Sequence, residues 1–570
     1  MPAISAPSNS DVESSEKQSS AADSTGNDDA GPTETLPDAG TDTAHASNPS
    51  VKPSEDHDTV RTIRGFKWFL VYSSLLSTVL FYALEATVVA NIQPSIIETF
   101  GEEEKLPWIG IGVFLGSLAI LPVGRAYAVF NLKWLFISAC ILFQAGSALG
   151  GAAPNMDAFI IGRVLQGVGA AGCYSGAITF ISTLTSQHER PLYLSGIVAI
   201  WSVGSVVGPV IGGAFAQSNA TWRWGFYINL CVGALTAPGL IFFLPNIDPA
   251  PKLSHKEKLL TQDWVAIVIF LAGSACFSMA LTFGGIVYPF NSGSEIALWT
   301  LSGVLLIAFI SVSIFHPLVA TQNRLYPIHL VKRTELDILQ FAILVNAGAM
   351  VTTLYYVPLI FQFTRGDGPL IAGVRLLPFL GGMISFSVLN GALMPRLGYY
   401  MPWYVLGTAL ILIGSSLMST LSPSTSEARL YGYTVLIGGG CGSFFTAGFS
   451  VVQALVPVAE LSNAISFMAL GQTMGQIVIL SLGGTLFQNI GSRGIKQIIP
   501  GISTQDAIHL TTGIHSSQFQ SLGPELQAQV IAQVTLSIRN VFIVMVSTSA
   551  LALIMSLSLS RRKIYGTQTK

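Results

Sequence analysis

From Lys67 onward the chain alternates apolar stretches of roughly 20 residues with short polar breaks. A helix rises about 1.5 Å per residue, so each stretch is long enough to cross a hydrocarbon layer about 30 Å thick. The pattern predicts fourteen spans. The first seven lie near 68–90, 108–128, 134–152, 158–184, 194–216, 223–244 and 264–285. The second seven lie near 296–316, 338–363, 371–393, 402–421, 429–455, 463–489 and 538–559, the last after a long loop.

Before the first span the pattern stops. Residues 1–60 are rich in Ser, Asp, Thr and Pro and lack the apolar content that offsets the entropy of ordering, so a disordered tail is expected. They hold no apolar core of a cleavable signal, which leaves insertion to the first span. The remaining apolar positions include all five cysteines, Cys140, Cys173, Cys231, Cys276 and Cys441. With no C-x-x-C spacing, neither a disulfide framework nor a metal site is expected.

Composition sharpens this reading. The 570 residues are 51% hydrophobic and 10% charged, too few charges to coat a soluble globule of that size, which excludes a soluble enzyme or a nucleic-acid binder. The net charge of -2 hides a split, because the tail holds 12 of the 30 acids and 2 of the 28 Lys and Arg residues. With both termini cytoplasmic, the cytoplasmic loops carry 17 Lys and Arg residues and the opposite loops seven, as the positive-inside rule requires.

Shifting the chain by 271 residues superimposes spans four and five on spans twelve and thirteen without a gap. Gly167 meets Gly438, Gly169 meets Gly440, Glu189 meets Glu460, Ser195 meets Ser466, and Gly204, Gly212, Gly213 and Gln217 meet Gly475, Gly483, Gly484 and Gln488. The repeat preserves membrane orientation and implies two parallel six-helix halves with spans seven and eight inserted between them, a transporter's plan. The expected organisation is an N-terminal tail over 1–60, one half over 65–245, an inserted pair over 246–335, and a second half over 336–560. An extracellular loop at 491–537 and a cytoplasmic tail at 561–570 complete it.

Four motifs carry candidate chemistry. The fifth span contains GSVVGPVIGG, with Gly204, Gly208, Pro209, Gly212 and Gly213 spaced so that two helix backbones approach closely and one backbone donor is missing. Tight packing and a conformational role both remain open for these glycines. The fourth span contains RVLQGVGAAG, with Arg163, Gln166, Gly167 and Gly169. A buried guanidinium must find a partner or snorkel to the interface. The G-x-G-x-x-G in that stretch lies inside an apolar helix, so dinucleotide binding is rejected.

The first span ends in LEATVVANIQP, where Glu85 is the one acid placed well inside a span. A carboxyl in a low-dielectric cavity can bind a proton in one state and release it in another, so Glu85 is the candidate proton site. A permanently bonded structural carboxyl and a ligand for a cationic substrate are the alternatives. Between spans five and six lies WRWGFYIN, Trp222 to Asn229, which suits anchoring at the outer interface.

In these motifs the chain resembles the major facilitator superfamily, in its fourteen-span drug:proton antiporter branch, over about residues 65–560. The fifth-span glycines match the antiporter signature G-x-x-x-G-P-x-x-G-G. Leu84, Thr87, Val89 and Pro94 match L-D-x-T-I-V-x-x-x-x-P, with Glu85 in place of aspartate. YYVPLIFQF and AGVRLLP resemble the ninth and tenth spans. The loop after span two departs from the superfamily pattern G-x-L-a-D-r-x-G-r-k, since GRAYAVFNLK keeps Gly124 and Lys133 but has Ala128 at the aspartate. A charge-relay latch there is not expected. Gly124, Arg125, Tyr127, Phe130, Leu132, Lys133 and Trp134 instead match the pattern of fungal toxin and secondary-metabolite efflux pumps.

The resemblance implies an all-α integral membrane protein of major facilitator fold that exports small organic compounds by alternating access, driven by protons. No ATP-binding phosphate loop and no H-E-x-x-H or G-x-S-x-G motif is present, so neither a cofactor nor an enzymatic reaction is expected. Thr87, Trp201, Gln340, Asn346, Tyr355, Tyr356, Asn390, Gln472 and Gln476 are the candidates to line the substrate cavity, with helix-to-helix hydrogen bonding as the alternative use of each. Asn219 begins a glycosylation sequon in a short loop. A single embedded acid favours neutral or weakly charged, apolar cargo. The alternatives are a carrier of basic amino acids, polyamines or siderophores and a non-transporting sensor. A monomer in the plasma membrane is expected, with the vacuolar membrane as the other location.

Overall fold

The apolar stretches become helices in the structure, a computed structural model that describes residues 63–100, 106–216, 218–285, 288–315, 319–320, 323–457, 460–511, 513 and 517–564. The tail at 1–60 and the end of the C-terminal tail lie outside the described residues. Spans 1 to 7 are Gly65–Phe100, Leu106–Ser117 with Ile120–Tyr127, Leu132–Ala152, Met156–Leu184, Arg190–Ala216, Trp224–Pro238 with a π turn at Gly239–Phe243, and Trp264–Phe283. Spans 8 to 14 are Gly293–Phe315, Thr334–Arg365, Pro369–Val374 with Leu377–Leu397, Met401–Met418, Glu427–Phe444 with Ala447–Leu455, Leu461–Ile498, and Pro524–Leu557.

Thirteen of the described spans are long and apolar enough to cross a membrane alone, while span 2 gives a shorter apolar helix, Gly112–Tyr127, that breaks at Leu118 and Ala119. There Leu118 N–H is shared between the Phe114 and Leu115 carbonyls, and Ala119 N–H turns back to Gly116. Among the described residues there is no sheet, only one bridge between Gly284 and Tyr288. Side chains start several helices: Asn131, Asn155 and Asp263 accept from Trp134, Ala158 and Ala266 N–H, satisfying donors that the first turn leaves free. Gly366 and Gly398, at φ 71° and 80°, end spans 9 and 10 in the left-handed conformation. The long loop is largely helix, since span 13 runs on to Ile498 and span 14 starts at Pro524.

Packing repeats with the sequence. A methyl group on Gly167 would overlap the Val113 carbonyl oxygen, and one on Gly438 would overlap that of Phe379. Span 4 thus lies on span 2 as span 12 lies on span 10. Gly204 faces Ala83 and Gly475 faces the Leu344 carbonyl in the same way, so span 5 lies on span 1 as span 13 lies on span 9. Backbone cannot yield to a branched side chain at such a crossing. Gly438→Val is therefore expected to prevent a monodisperse protein, as read by size-exclusion chromatography in detergent.

Both described chain ends reach one end of the bundle. Trp68 meets Tyr193 edge-on with ring centroids 5.2 Å apart, and Ile564 N–H donates to the Gly398 carbonyl at 3.0 Å. At this end the first and last six spans are in direct contact. Gly124 lies against Ser466, and Gly391 lies against the backbone of Pro191 and Leu192, where an added Cβ would come within 2.9 Å of the Pro191 oxygen. Arg125, almost fully buried, donates to Asn463 Oδ1 at 3.2 Å and to Asn323 Oδ1 at 2.7 Å. Lys133 donates to the Ile241 carbonyl at 2.7 Å. This end of the structure is closed.

Candidate functional site: a buried charge pair between spans 1 and 4

Five turns into span 1, Glu85 is 1% exposed, and Arg163 of span 4 is 2% exposed. The Arg163 guanidinium forms an ion pair with Glu85 Oε1. It also donates to Gln166 Oε1 at 3.0 Å and, through Nε, to the Ile109 carbonyl at 3.2 Å, and its Cζ lies 5.7 Å from the Phe226 ring centre. Asn229 Nδ2 donates to the other carboxylate oxygen, Glu85 Oε2, at 2.9 Å. Gln166 Nε2 donates to Ser147 Oγ at 2.8 Å, which lies 3.5 Å from Asn229 Nδ2. Residues from spans 1, 2, 3, 4 and 6 thus surround one carboxylate.

Small residues make this convergence possible. Gly146 and Gly162 let spans 3 and 4 touch along their backbones, which sets Ser147 beside Gln166. On the other side of span 1, Gly208 abuts Thr87, and a Cβ at Gly212 would lie 2.7 Å from the Val88 carbonyl. The fifth-span glycines therefore pack on the turn that carries Glu85. Of Pro209 only the helical backbone is described.

Charges so buried cost several kcal/mol each to desolvate, and leaving one without its partner costs about 3–5 kcal/mol. Arg163→Met alone is expected to lower thermal stability sharply, whereas Arg163→Met with Glu85→Gln recovers most of it. Differential scanning fluorimetry of the single and double variants checks this. Equal destabilisation by both would show that the pair is not the source.

The remaining candidates separate into three uses. Thr87 donates to the Ala83, Leu84 and Gly204 carbonyls, and Gln340 donates to the Phe467 carbonyl at 2.8 Å, both at helix crossings. Asn346 donates to the Cys441 carbonyl at 3.0 Å, Asn390 contacts Met394 Sδ at 3.8 Å, and Tyr356 packs on Phe487, all within the last six spans. Trp201 and Gln472 instead both meet Tyr174 at the joint between the first and last six spans, with buried Gln476 one turn further along span 13. Tyr355 is half-exposed and lies within electrostatic reach of Arg163. Asn219 sits on an exposed turn.

Sequence reading missed Asn229 and Ser147. The signal for Asn229 was its place at the end of WRWGFYIN, which holds two roles. Trp222 Nε1 donates to Thr99 Oγ1 at 2.9 Å and Arg223 to the Gly151 carbonyl at 2.7 Å, fastening the start of span 6, while Asn229 two turns on reaches the carboxylate.

The Major Facilitator Superfamily model matches residues 74–330. Efflux pump DEP3 of Alternaria brassicicola is 49% identical, over 90% of this chain and 90% of its own length. MFS-type transporter pgmG of Aspergillus terreus is 38% identical, over 91% of this chain and 93% of its own length. Efflux pump patC of Aspergillus clavatus is also 38% identical, over 91% and 95%. Among solved structures, the proton:xylose symporter XylE is similar at a TM-score of 0.55 and 12% identity, over 87% of this chain and 96% of that one. The human organic anion transporter MFSD10 is similar at 0.51 and 12%, over 85% and 100%. At such identities these two show the fold alone. With relatives this similar along nearly its whole described length, the chain belongs to the Major Facilitator Superfamily and is a multi-pass membrane transporter, not an enzyme.

Proposed function

We propose that this transporter exports small organic compounds in exchange for protons, with Glu85 as the group that carries the proton. The observation that supports this most is the Glu85–Arg163 pair with Asn229 on the second carboxylate oxygen. Arg163 keeps its charge under all physiological conditions, so it gives the ionised carboxylate a counter-charge. Protonation removes that attraction, and Asn229 Oδ1, which has no partner in this structure, accepts from the new hydroxyl once the amide rotates. One network thus serves both proton states, and the fifth-span glycines against the same turn pass the change to the helix crossing.

The relatives bear the names of efflux pumps, which supports export as the direction. Alternating access follows if the closed end parts when Glu85 is in one proton state and seals in the other, because a ligand shifts only the equilibrium between states it binds unequally. The closed end is then cytoplasmic, the protein acts as a monomer in the plasma membrane, and the proton gradient supplies the energy. Inside-out vesicles with an acid interior test this. Accumulation of a lipophilic cargo that collapses with a protonophore is expected, and accumulation indifferent to the protonophore would refute proton coupling.

A further inference from the structure

One turn before Glu85, span 1 presents Tyr82, whose ring meets Trp201 of span 5 edge-on at 4.9 Å and Tyr174 of span 4 at 6.2 Å. Tyr174 and Trp201 complete the triangle at 6.3 Å. All three side chains are more than nine-tenths buried. From the last six spans, Gln472 reaches into this group and accepts a hydrogen bond from Tyr174 Oη at 2.9 Å. Tyr82 Oη has a neighbour in Ser117 Oγ at 3.5 Å. The indole N–H of Trp201, a group that can only donate, is buried with no acceptor.

A donor left in that condition costs free energy in this closed state, and nothing in the three rings' mutual packing needs it. The surroundings fit a ligand of one chemical kind. Three aromatic rings offer edges and faces to a flat π-system. Trp201 N–H asks for an acceptor such as a carbonyl oxygen. No member of the group is charged, so an ion would enter without compensation.

We infer that Tyr82, Tyr174 and Trp201, joined to the last six spans through Gln472, form the cargo subsite and take a flat, conjugated, uncharged molecule bearing a carbonyl-type acceptor. This rests on the export reading above. In the open arrangement the Tyr174–Gln472 bond is broken and the rings face the cavity, with the cargo's oxygen on Trp201. Closure restores the bond and expels the cargo, so the hydrogen bond across the joint and the cargo compete for one place.

The test uses the full chain purified in detergent and three probes: dibenzylideneacetone, its saturated counterpart 1,5-diphenylpentan-3-one, and 1,4-diphenylbutadiene, which is conjugated but lacks an acceptor. Affinity is read by competition against a radiolabelled cargo that the vesicle assay has shown to be transported. Wild type is expected to bind dibenzylideneacetone about ten-fold more tightly than either other probe, from one hydrogen bond and one stacked ring system. Trp201→Phe keeps an aromatic face and loses the donor, so it should lower dibenzylideneacetone affinity about five-fold while 1,4-diphenylbutadiene affinity changes much less. The variant's unfolding temperature should fall only by the cost of the smaller ring, because the donor it removes has no partner when the protein is closed. Tyr174→Phe should tighten binding of all three by removing the competing bond.

Equal affinities for the three probes in wild type, or an unchanged preference in Trp201→Phe with its transport intact, would overturn the subsite. Proton-independent transport with these preferences preserved would instead refute the export mechanism and leave the subsite standing.

Discussion

Vesicles carrying Glu85→Gln are expected to hold cargo at the same concentration inside and out under an imposed proton gradient. With a gradient of about two pH units, one-for-one exchange supports a cargo ratio of about 100 in wild type, because each unit is worth about 1.4 kcal/mol. Glutamine keeps the size of the side chain and its bonding to Asn229, but it has no proton that it can give up and take back by ionising. Cargo should therefore still equilibrate down its own gradient. The protein should still fold, with a lower unfolding temperature than wild type, because Arg163 keeps its buried charge without the counter-charge while the Gln166 side-chain carbonyl still accepts from it. A ratio near 100 in Glu85→Gln would move the proton site elsewhere in the chain.

The second large effect concerns the closed end. Gly391→Val places a branched side chain against the backbone of Pro191 and Leu192, and that backbone cannot move aside without parting spans 5 and 10. Overpacking of this kind costs about 1–3 kcal/mol, and here the cost falls on the closed state only. The balance between closed and open states should shift by about 5- to 150-fold toward open. Net transport should fall accordingly, while the unfolding temperature changes little because the open arrangement stays folded. A reporter is available at Ser466, which Gly124 covers and which is 2% exposed. In a Ser466→Cys background, Gly391→Val should raise the rate of labelling by a membrane-impermeant maleimide, and an unchanged rate would show that this crossing does not hold the end shut.

The spans, their pairing into a repeated plan and the glycine crossings were legible in the sequence because each follows from local pattern: length of apolar run, spacing of small residues, a fixed shift of 271. Glu85 and Arg163 were legible singly, as charges that an apolar helix does not tolerate without reason. Their pairing was not, since hydropathy fixes where a span begins and leaves the rotation of its faces open. Asn229 shows the same limit, because it belongs to a segment whose Trp and Arg residues give an interfacial signal that masks the polar residue two turns on.

Arg125 shows a different limit. The loop has Ala128 where the superfamily pattern has an aspartate, yet the structure keeps a contact there by resting Arg125 on two amide oxygens, Asn323 and Asn463, from segments about 200 and 338 residues away. Contacts that long in sequence have no local signature. Lys258 with Asp248 illustrates the easier case, ten residues apart at 2.7 Å, where the ammonium holds the half-buried Asp248 carboxyl below the usual carboxylate range.

The central claim is that Glu85 makes the movement of cargo and the movement of protons one event. It is tested most directly in proteoliposomes that start with no proton gradient and enclose a pH-sensitive dye, to which a concentrated transported cargo is added outside. Wild type should drive protons out of the lumen as cargo enters, and Glu85→Gln should pass cargo with no change in the dye. Cargo entry through wild type without proton movement would contradict the account.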